Sequence, residues 1–327
     1  MKYRRAGIHL SLVFVGLAAW HQALGQTYPS HPITIVVPLG AGGGVDVQAR
    51  LIGQRLSERL NVAVVIENKP GGGTVVGGNY VAKSNPDGHT LLLATNSTIA
   101  VAPVVSKGGA YEPIRDFVPL AMTAGSPFFL AVRPNPEIQT LKDLLRKAGE
   151  RSDQLSFGTS GIGTSNHIFM EMLMRRANIK MVHVPYKSSG EVAKDVIAGH
   201  VDIAFLDPET AIQMSKGGLV NLLGITTTKR HPTLPDVPTM AEAGVPDYEA
   251  MAWTALVAPA KISDAVAAKL RKELSEIVTG AEYQEFLRKS ASLDMDYRTP
   301  ESMQSFFQSE IAKWETILVG AGLKGVQ

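Results

Sequence analysis

Short apolar runs rich in β-branched residues alternate along the chain with longer stretches in which apolar side chains recur every three or four positions. The first pattern suits buried strands and the second the inner face of a helix. Ile33–Val37 reads as a strand, and Ile52, Leu56 and Leu60 mark the helix after it. Val62–Ile66 and Leu91–Ala94 read as further strands. Between them lie a short helix ending at Lys83 and the turn Asn85-Pro86-Asp87-Gly88. Phe128–Val132 is another strand, closed by Arg133-Pro134-Asn135-Pro136. The theme then restarts. Leu141, Leu144, Leu145 and Ala148 line a helix, Leu155–Phe157 is a strand, and Ile168, Met172 and Leu173 line the next helix. Met181–Val184, Ile203–Leu206 and Leu219–Ile225 are later strands, separated by helices near 190–199 and 209–217. A proline-rich connection, His231–Pro238, leads to the strand Trp253–Ala258, and helices fill 264–278, 281–289 and 300–319.

This alternation predicts an α/β fold with mostly parallel sheets flanked by helices. A strand, a Gly-rich loop and a helix near 33–60 return near 155–177. Two α/β lobes, each opening with such a unit, would direct two helix N-termini at one cleft.

Those two loops carry the candidate chemistry. The first is Pro38-Leu39-Gly40-Ala41-Gly42-Gly43-Gly44-Val45-Asp46, and the second is Gly158-Thr159-Ser160-Gly161-Ile162-Gly163-Thr164-Ser165-Asn166. Glycine lets backbone approach a ligand and adopt positive φ. Free N–H groups of a first helical turn, with the macrodipole behind them, bind an anion without a charged side chain. The candidate ligand contacts of the first loop are Leu39, Gly42, Gly43, Gly44 and Asp46, with Asp46 either complementing the dipole or fixing the loop. Those of the second are Thr159, Ser160, Gly163, Thr164 and Ser165, whose hydroxyls can hold carboxylate oxygens directly or through water. Strand ends add Asn96-Ser97, Lys187 and Asp207. Lys187 either pairs with an acid or is a solvated lysine, and Asp207 either accepts from a ligand or caps the helix beginning near Pro208. His167 is expected to pack at a helix start, and Trp253 in the core.

Sharper signatures fail. The dinucleotide fingerprint needs a closing glycine or alanine and meets Val45 in the first loop and Asn166 in the second. Ile162 breaks the nucleophile elbow begun by Gly158 and Ser160. The histidines form no ligand cluster along the chain, so neither a metal nor a cofactor is expected.

Composition narrows the classes further. The 327 residues are 45% hydrophobic and 19% charged, as in globular proteins. Lys+Arg is 32 against 30 Asp+Glu, a net +2, which provides no basic field for nucleic acid. The absence of cysteine rules out disulfides, thiolate metal sites, thiol catalysis and a lipidated N-terminal cysteine. Lys2, Arg4 and Arg5, the apolar run Ile8–Trp20 and the small residues around Ala23-Leu24-Gly25 form a cleavable secretory signal over 1–25. That run is about 13 residues, short of the roughly 20 a membrane span needs. Its removal takes the net charge from +2 to −1. A near-neutral exported chain without cysteine suits a bacterial periplasm.

Several short stretches occur in a fixed order. They are Tyr28-Pro29 ahead of Pro38, Gly42-Gly43-Gly44 with Asp46, and Glu67-Asn68-Lys69-Pro70-Gly71-Gly72-Gly73. Then come Asn85-Pro86-Asp87-Gly88-His89-Thr90-Leu91-Leu92, Val184-Pro185-Tyr186-Lys187, Gly199-His200-Val201-Asp202 and Leu234-Pro235-Asp236-Val237-Pro238-Thr239. From Tyr28 to the C-terminus the chain resembles the Bug-type periplasmic solute-binding receptors of the tripartite tricarboxylate transporter family. The resemblance implies a two-lobed, type II-like binding-protein fold with two crossing strands, closing like a hinge. Drawn on this chain, lobe 1 takes 26–128 and 245–327, and lobe 2 takes 129–244. It also implies a monomer that captures a small carboxylic acid through backbone and water-bridged contacts from both loops. Di- and tricarboxylates, amino acids and aromatic acids are the ligands implied. Membrane permease subunits or a sensor protein are the partners implied. Leu39 stands where the family commonly has an aromatic residue and Val45 where it has a hydroxyl, and Ile162 is apolar. These departures favour a more apolar or aromatic acid. Two competing readings are an exported α/β hydrolase, with Ser160 or Ser165 as nucleophile and His167 as base, and a partner-binding protein without a ligand.

Overall fold

A computed structural model describes residues 28–107, 111–150, 155–186 and 188–326. The secretory signal expected over 1–25 and the candidate Lys187 lie outside them. Among the described residues, ten strands form two five-stranded sheets. Sheet 1 holds β1 (Ile33–Val37), β2 (Val64–Asn68), β3 (Thr90–Thr95), β4 (Phe117–Ser126) and β10 (Ala252–Pro259), in the order β2-β1-β3-β10-β4. Sheet 2 holds β5 (Phe129–Val132), β6 (Ser156–Thr159), β7 (Val182–Pro185), β8 (Ile203–Leu206) and β9 (Asn221–Ile225), in the order β7-β6-β8-β5-β9. Helices α1 (Gly44–Leu60), α2 (Val75–Ala82), α9 (Asp264–Val278) and α10 (Ala281–Lys289) cover sheet 1. Short α3 (Ala102–Val105) and α4 (Pro113–Asp116) precede β4. Helices α5 (Leu141–Glu150), α6 (Ser165–Ala177), α7 (Ser189–Ala198) and α8 (Pro208–Lys216) cover sheet 2, and α11 (Pro300–Gly320) runs along both.

The side-chain alternation of a strand explains the cores. Ile33, Ile35 and Val37, with Leu91 and Leu93, meet Ile52 and Leu56 of α1 and Leu270 and Leu274 of α9. Val36, Leu92 and Ala94 turn to the other side with Val81, Trp253 and Phe307. In sheet 2, Leu130, Val132, Ile203 and Phe205 pack with Phe169 and Leu173, whereas Phe129, Ala131, Ala204 and Leu206 pack with Val192, Val196 and Ala211. Strands buried on both faces read as unbroken apolar runs. Each fully buried Leu, Ile or Phe contributes about 1.5–3 kcal/mol relative to exposure.

Each sheet is mostly parallel, with one crossing strand running against the other four. β1 pairs in parallel with β2 and β3, but β10 runs antiparallel to β3 and β4. β6 pairs in parallel with β7 and β8, but β5 runs antiparallel to β8 and β9. The cause is the crossing between sheets. A strand that arrives from the other sheet enters at the edge where β3 or β8 ends, so it must run the opposite way. Accordingly Thr254 near the start of β10 pairs with Thr95 at the end of β3, and Phe129 at the start of β5 pairs with Leu206 at the end of β8.

β4 is absent from the pattern-based reading. Pro119 lies within it, and proline disfavours a central strand. The sheet tolerates it because β4 is an edge strand and its register against β10 slips between Ala121 and Pro119.

Helix α11 joins the two cores. Its Met303 and Phe307 pack on the sheet 1 side, and its Trp314 and Leu318 pack with Phe169 of α6. Between them, Glu310 Oε2 accepts from the indole N–H groups of Trp253 (2.9 Å) and Trp314 (3.0 Å). Trp253 is therefore a core residue, as expected. Among the described residues, no helix is long and apolar enough to cross a membrane.

Candidate ligand-binding site

The first loop joins the end of β1 to α1. Gly43 is the helix N-cap and offers no side-chain cap, and the first intrahelical bond runs from Val47 N to Gly43 O (3.0 Å). The N–H groups of Gly44, Val45 and Asp46 precede that bond and point out of the helix end. Only Gly42 has positive φ, at 84°. A methyl group on Gly40, Gly42 or Gly44 would meet no atom of the chain within 4 Å. These glycines keep space open beside the amides rather than relieve crowding within the chain.

Asp46 fixes this loop. One carboxylate oxygen accepts from Gly42 N (2.9 Å) and Arg50 Nε (2.9 Å), and the other from Arg50 Nη2 (3.1 Å) and Asn68 Nδ2 (3.0 Å). Asn68 Nδ2 also lies 3.1 Å from Leu39 O. The Arg50 guanidinium, followed by the Gly42 and Asn68 hydrogen bonds, outweighs burial and holds the Asp46 carboxyl down at about 2. Of the two roles open to Asp46, the geometry carries loop fixing. Leu39 is exposed at the loop's tip, 36% accessible.

The second loop joins β6 to α6, whose N-cap Thr164 likewise makes no side-chain cap to its own helix. Its conformation is held by side chains. Asn166 Oδ1 lies within reach of Ser160 N (3.3 Å), Ser160 Oγ (3.2 Å) and Thr164 Oγ1 (2.6 Å). Thr159, fully buried, sits 2.6 Å from His183 Nε2 and accepts from Gly161 N (3.2 Å). Gly163 N donates to His167 Nδ1 (3.2 Å). Gly161 and Gly163 have φ of 119° and 76°, which a side chain disfavours.

The turn after β3 ties the second loop to sheet 1. Ser97 Oγ donates to Gly163 O (3.1 Å), and Ser165 Oγ donates to Asn96 Oδ1 (3.1 Å). Asn96 is 1% exposed, and its Nδ2 has no hydrogen-bond partner among the described residues. A buried amide donor left unmade costs free energy, so a group that accepts from it there would be stabilised. The loops 38–46 and 158–166 contain no lysine or arginine. Within the loops themselves, positive potential comes from helix ends and amides.

Asp207 follows β8 and caps α8, accepting from Thr210 N (3.0 Å) and Thr210 Oγ1 (2.8 Å). His167 packs at the start of α6, as expected, and is 2% exposed. Its ring faces His183 at 4.4 Å, and its Nδ1 is taken by Gly163 N. Ser160 and Ser165 direct their hydroxyls to Asn166 and Asn96 instead. The hydrolase reading therefore lacks a serine–histidine pair. Ser97 is a strand-end candidate together with Asn96, and Asn166 is part of the second loop, but Asn68 and His183 have no site role in the sequence reading. Nothing local to Asn68 or His183 marks them.

The expectation of no histidine cluster is corrected. The fold gathers His31, Asp87 and His89, with donor atoms within 4.8 Å of one another. His89 Nε2 accepts from Ser30 N (3.2 Å), which puts the ring proton on Nδ1, facing Asp87 Oδ1 at 3.3 Å. The His31 ring stacks on His89, centroids 3.6 Å apart. The trio fastens the chain before β1 to the turn before β3.

Residues 48–323 match the family model described as the tripartite tricarboxylate transporter family receptor. The chain belongs to this receptor family. The receptor is 36% identical over 296 residues to a Pseudomonas sp. (strain P51) protein known as the UPF0065 protein in the tcbD-tcbE intergenic region, covering 90% of this chain and 87% of that one. Among solved structures it is similar to Rpa4515 of R. palustris with adipate, at TM-score 0.81 and 31% identity, covering 90% of this chain and 98% of that one. It is also similar to the periplasmic binding protein BugD, at TM-score 0.80 and 29% identity, covering 91% and 99%. Its two helix-flanked mixed sheets are thus the two-lobed fold of Bug-type receptors.

Proposed function

We propose that this receptor captures one small carboxylic acid between the N-termini of α1 and α6 and is not an enzyme. The observations that carry the reading are the uncapped helix end in each sheet and the unpaired Asn96 amide beside the N-terminus of α6. Gly42, Gly43, Gly44, Ser160, Gly163, Thr164 and Ser165 would line the acid's carboxylate, with Asn96 donating to it. Asp46, Thr159 and Asp207 act by holding loops and helix ends. The similarity to an adipate-bound relative supports a carboxylate ligand. Leu39, Val45 and Ile162 favour an acid with an apolar remainder.

Lobe 1 is residues 26–128 and 245–327, and lobe 2 is 129–244. Residues 1–25 direct export to the periplasm and are removed. There the monomeric receptor delivers its acid to membrane permease subunits or a sensor protein. The test is a melting-temperature screen of the purified protein against small acids, with adipate, malate, citrate and benzoate among them. At 100 times its dissociation constant, the right acid stabilises by about 2.7 kcal/mol. A protein that none of the panel stabilises would refute the capture, and a response to citrate alone would refute the apolar remainder.

A further inference from the structure

Beneath the second loop, two histidines each hold one of its left-handed glycines. His167 Nδ1 accepts from Gly163 N at 3.2 Å, and His183 Nε2 contacts Thr159 Oγ1 at 2.6 Å, which in turn accepts from Gly161 N at 3.2 Å. Their rings lie 4.4 Å apart, and Phe157 stacks on His183 at 4.9 Å. The carbonyl of Gly163 meanwhile accepts from Ser97 of the turn after β3. Gly163 is thus tied on one side to α6 and on the other to sheet 1.

We propose that His167 and His183 are positioning residues that set the second loop in its ligand-receiving shape, with His167 locked as the neutral tautomer protonated at Nε2. This rests on the reading of that loop as half of an anion grip. An imidazolium has no lone pair for Gly163 N, so the loop needs a neutral ring. The titratable groups against His167 are His183 on β7 and Glu171 one turn along α6, whose Oε1 is 3.6 Å from His167 Nε2. Burial first, then the nearby His183, pushes His167 down to about 3, and burial lowers His183 and raises Glu171. The ring therefore remains an acceptor across the ordinary pH range. Gly161 and Gly163 adopt backbone angles that cost other residues free energy. The two rings make those angles the single accessible choice even without ligand.

The test is hydrogen exchange on the purified protein without any acid, read at residues 158–166. His167→Leu removes the acceptor and is expected to speed exchange at Gly163 at least tenfold. His167→Asn presents an oxygen near the place of Nδ1 and is expected to restore protection to within about threefold. Equal protection in wild type and His167→Leu, or equal loss in both variants, overturns the proposal. Nitrogen NMR of the wild-type ring needs no variant and guards against misfolding. It should show Nδ1 unprotonated from pH 8 to pH 5, and a proton there overturns the proposal as well. Adipate titration forms a separate arm. Where adipate stabilises wild type, His167→Leu should weaken it about tenfold. Where no acid binds but exchange behaves as stated, the carboxylate reading has failed and the positioning role stands.

Discussion

The two Gly-rich loops reach a similar form by different physics. The first is organised by charge, since one carboxylate, Asp46, gathers Gly42, Arg50 and Asn68. The second is organised by neutral groups, Asn166, Thr159, His167 and His183. The glycines also differ. Those of the first loop face open space, whereas a methyl group on Gly158 at the root of the second would lie 2.9 Å from Val192. A glycine therefore leaves open space in one place and makes room for the protein's own packing in the other. The contrast shows that the loop before a helix N-terminus can be held by an ionic or by a neutral scaffold.

The largest expected effect comes from filling the open space of the first loop. Gly43 has φ −82°, which valine tolerates, and a Cβ there has only Gly40 O nearby, at 4.0 Å. Gly43→Val should cost at least a hundredfold in acid affinity by calorimetry, with little change in melting temperature. Unchanged affinity would remove the first loop from the site.

Next comes the ionic scaffold. Asp46→Ala leaves Gly42 N–H without its acceptor and Asn68 Nδ2 with Leu39 O alone, and should cost about 2 kcal/mol in urea unfolding and weaken acid binding. An equal loss from Asn166→Ala would blur the contrast between scaffolds, because that side chain carries no charge.

Acid separates the two loops. Asp46 is depressed to about 2, so its stabilisation is complete above its ordinary value of 3.8 and is lost as the pH falls towards 2. His167 is also depressed, to about 3, but it is a base. The unfolded chain takes up its proton first, so stability declines as the pH falls from 6.5 and the decline ends near 3. The unfolding free energy should therefore fall below pH 6.5 in wild type and more gently in His167→Asn. Parallel profiles would contradict a neutral His167.

The smallest effect is at the tie between the second loop and the turn after β3. Ser97→Ala removes one hydroxyl bond to Gly163 O, worth about 1 kcal/mol, and should loosen the second loop while leaving amide exchange in the first unchanged. Loosening of both would mean that the scaffolds are coupled.

The unbroken apolar runs and the helical spacing of Ile52 and Leu56 made most elements legible, because burial on both faces of a strand leaves a local pattern. Ile33–Val37 and Ile203–Leu206 match their strands residue for residue. β4 was hidden by Pro119, whose acceptability depends on an edge that only pairing creates. The two loops were legible because glycine ahead of a helix is a local signal. His183 was not, because its meaning lies in Thr159, 24 positions earlier.

Sequence alone determined the α/β alternation, the paired loops and the lack of basic groups in them, since each follows from residue types at short spacing. Tertiary structure alone decided the antiparallel crossings, the neutral support under the second loop and the buried Asn96 amide between the sheets. These depend on which distant segments meet, and the energy of a polar group is set by its neighbours in space rather than along the chain.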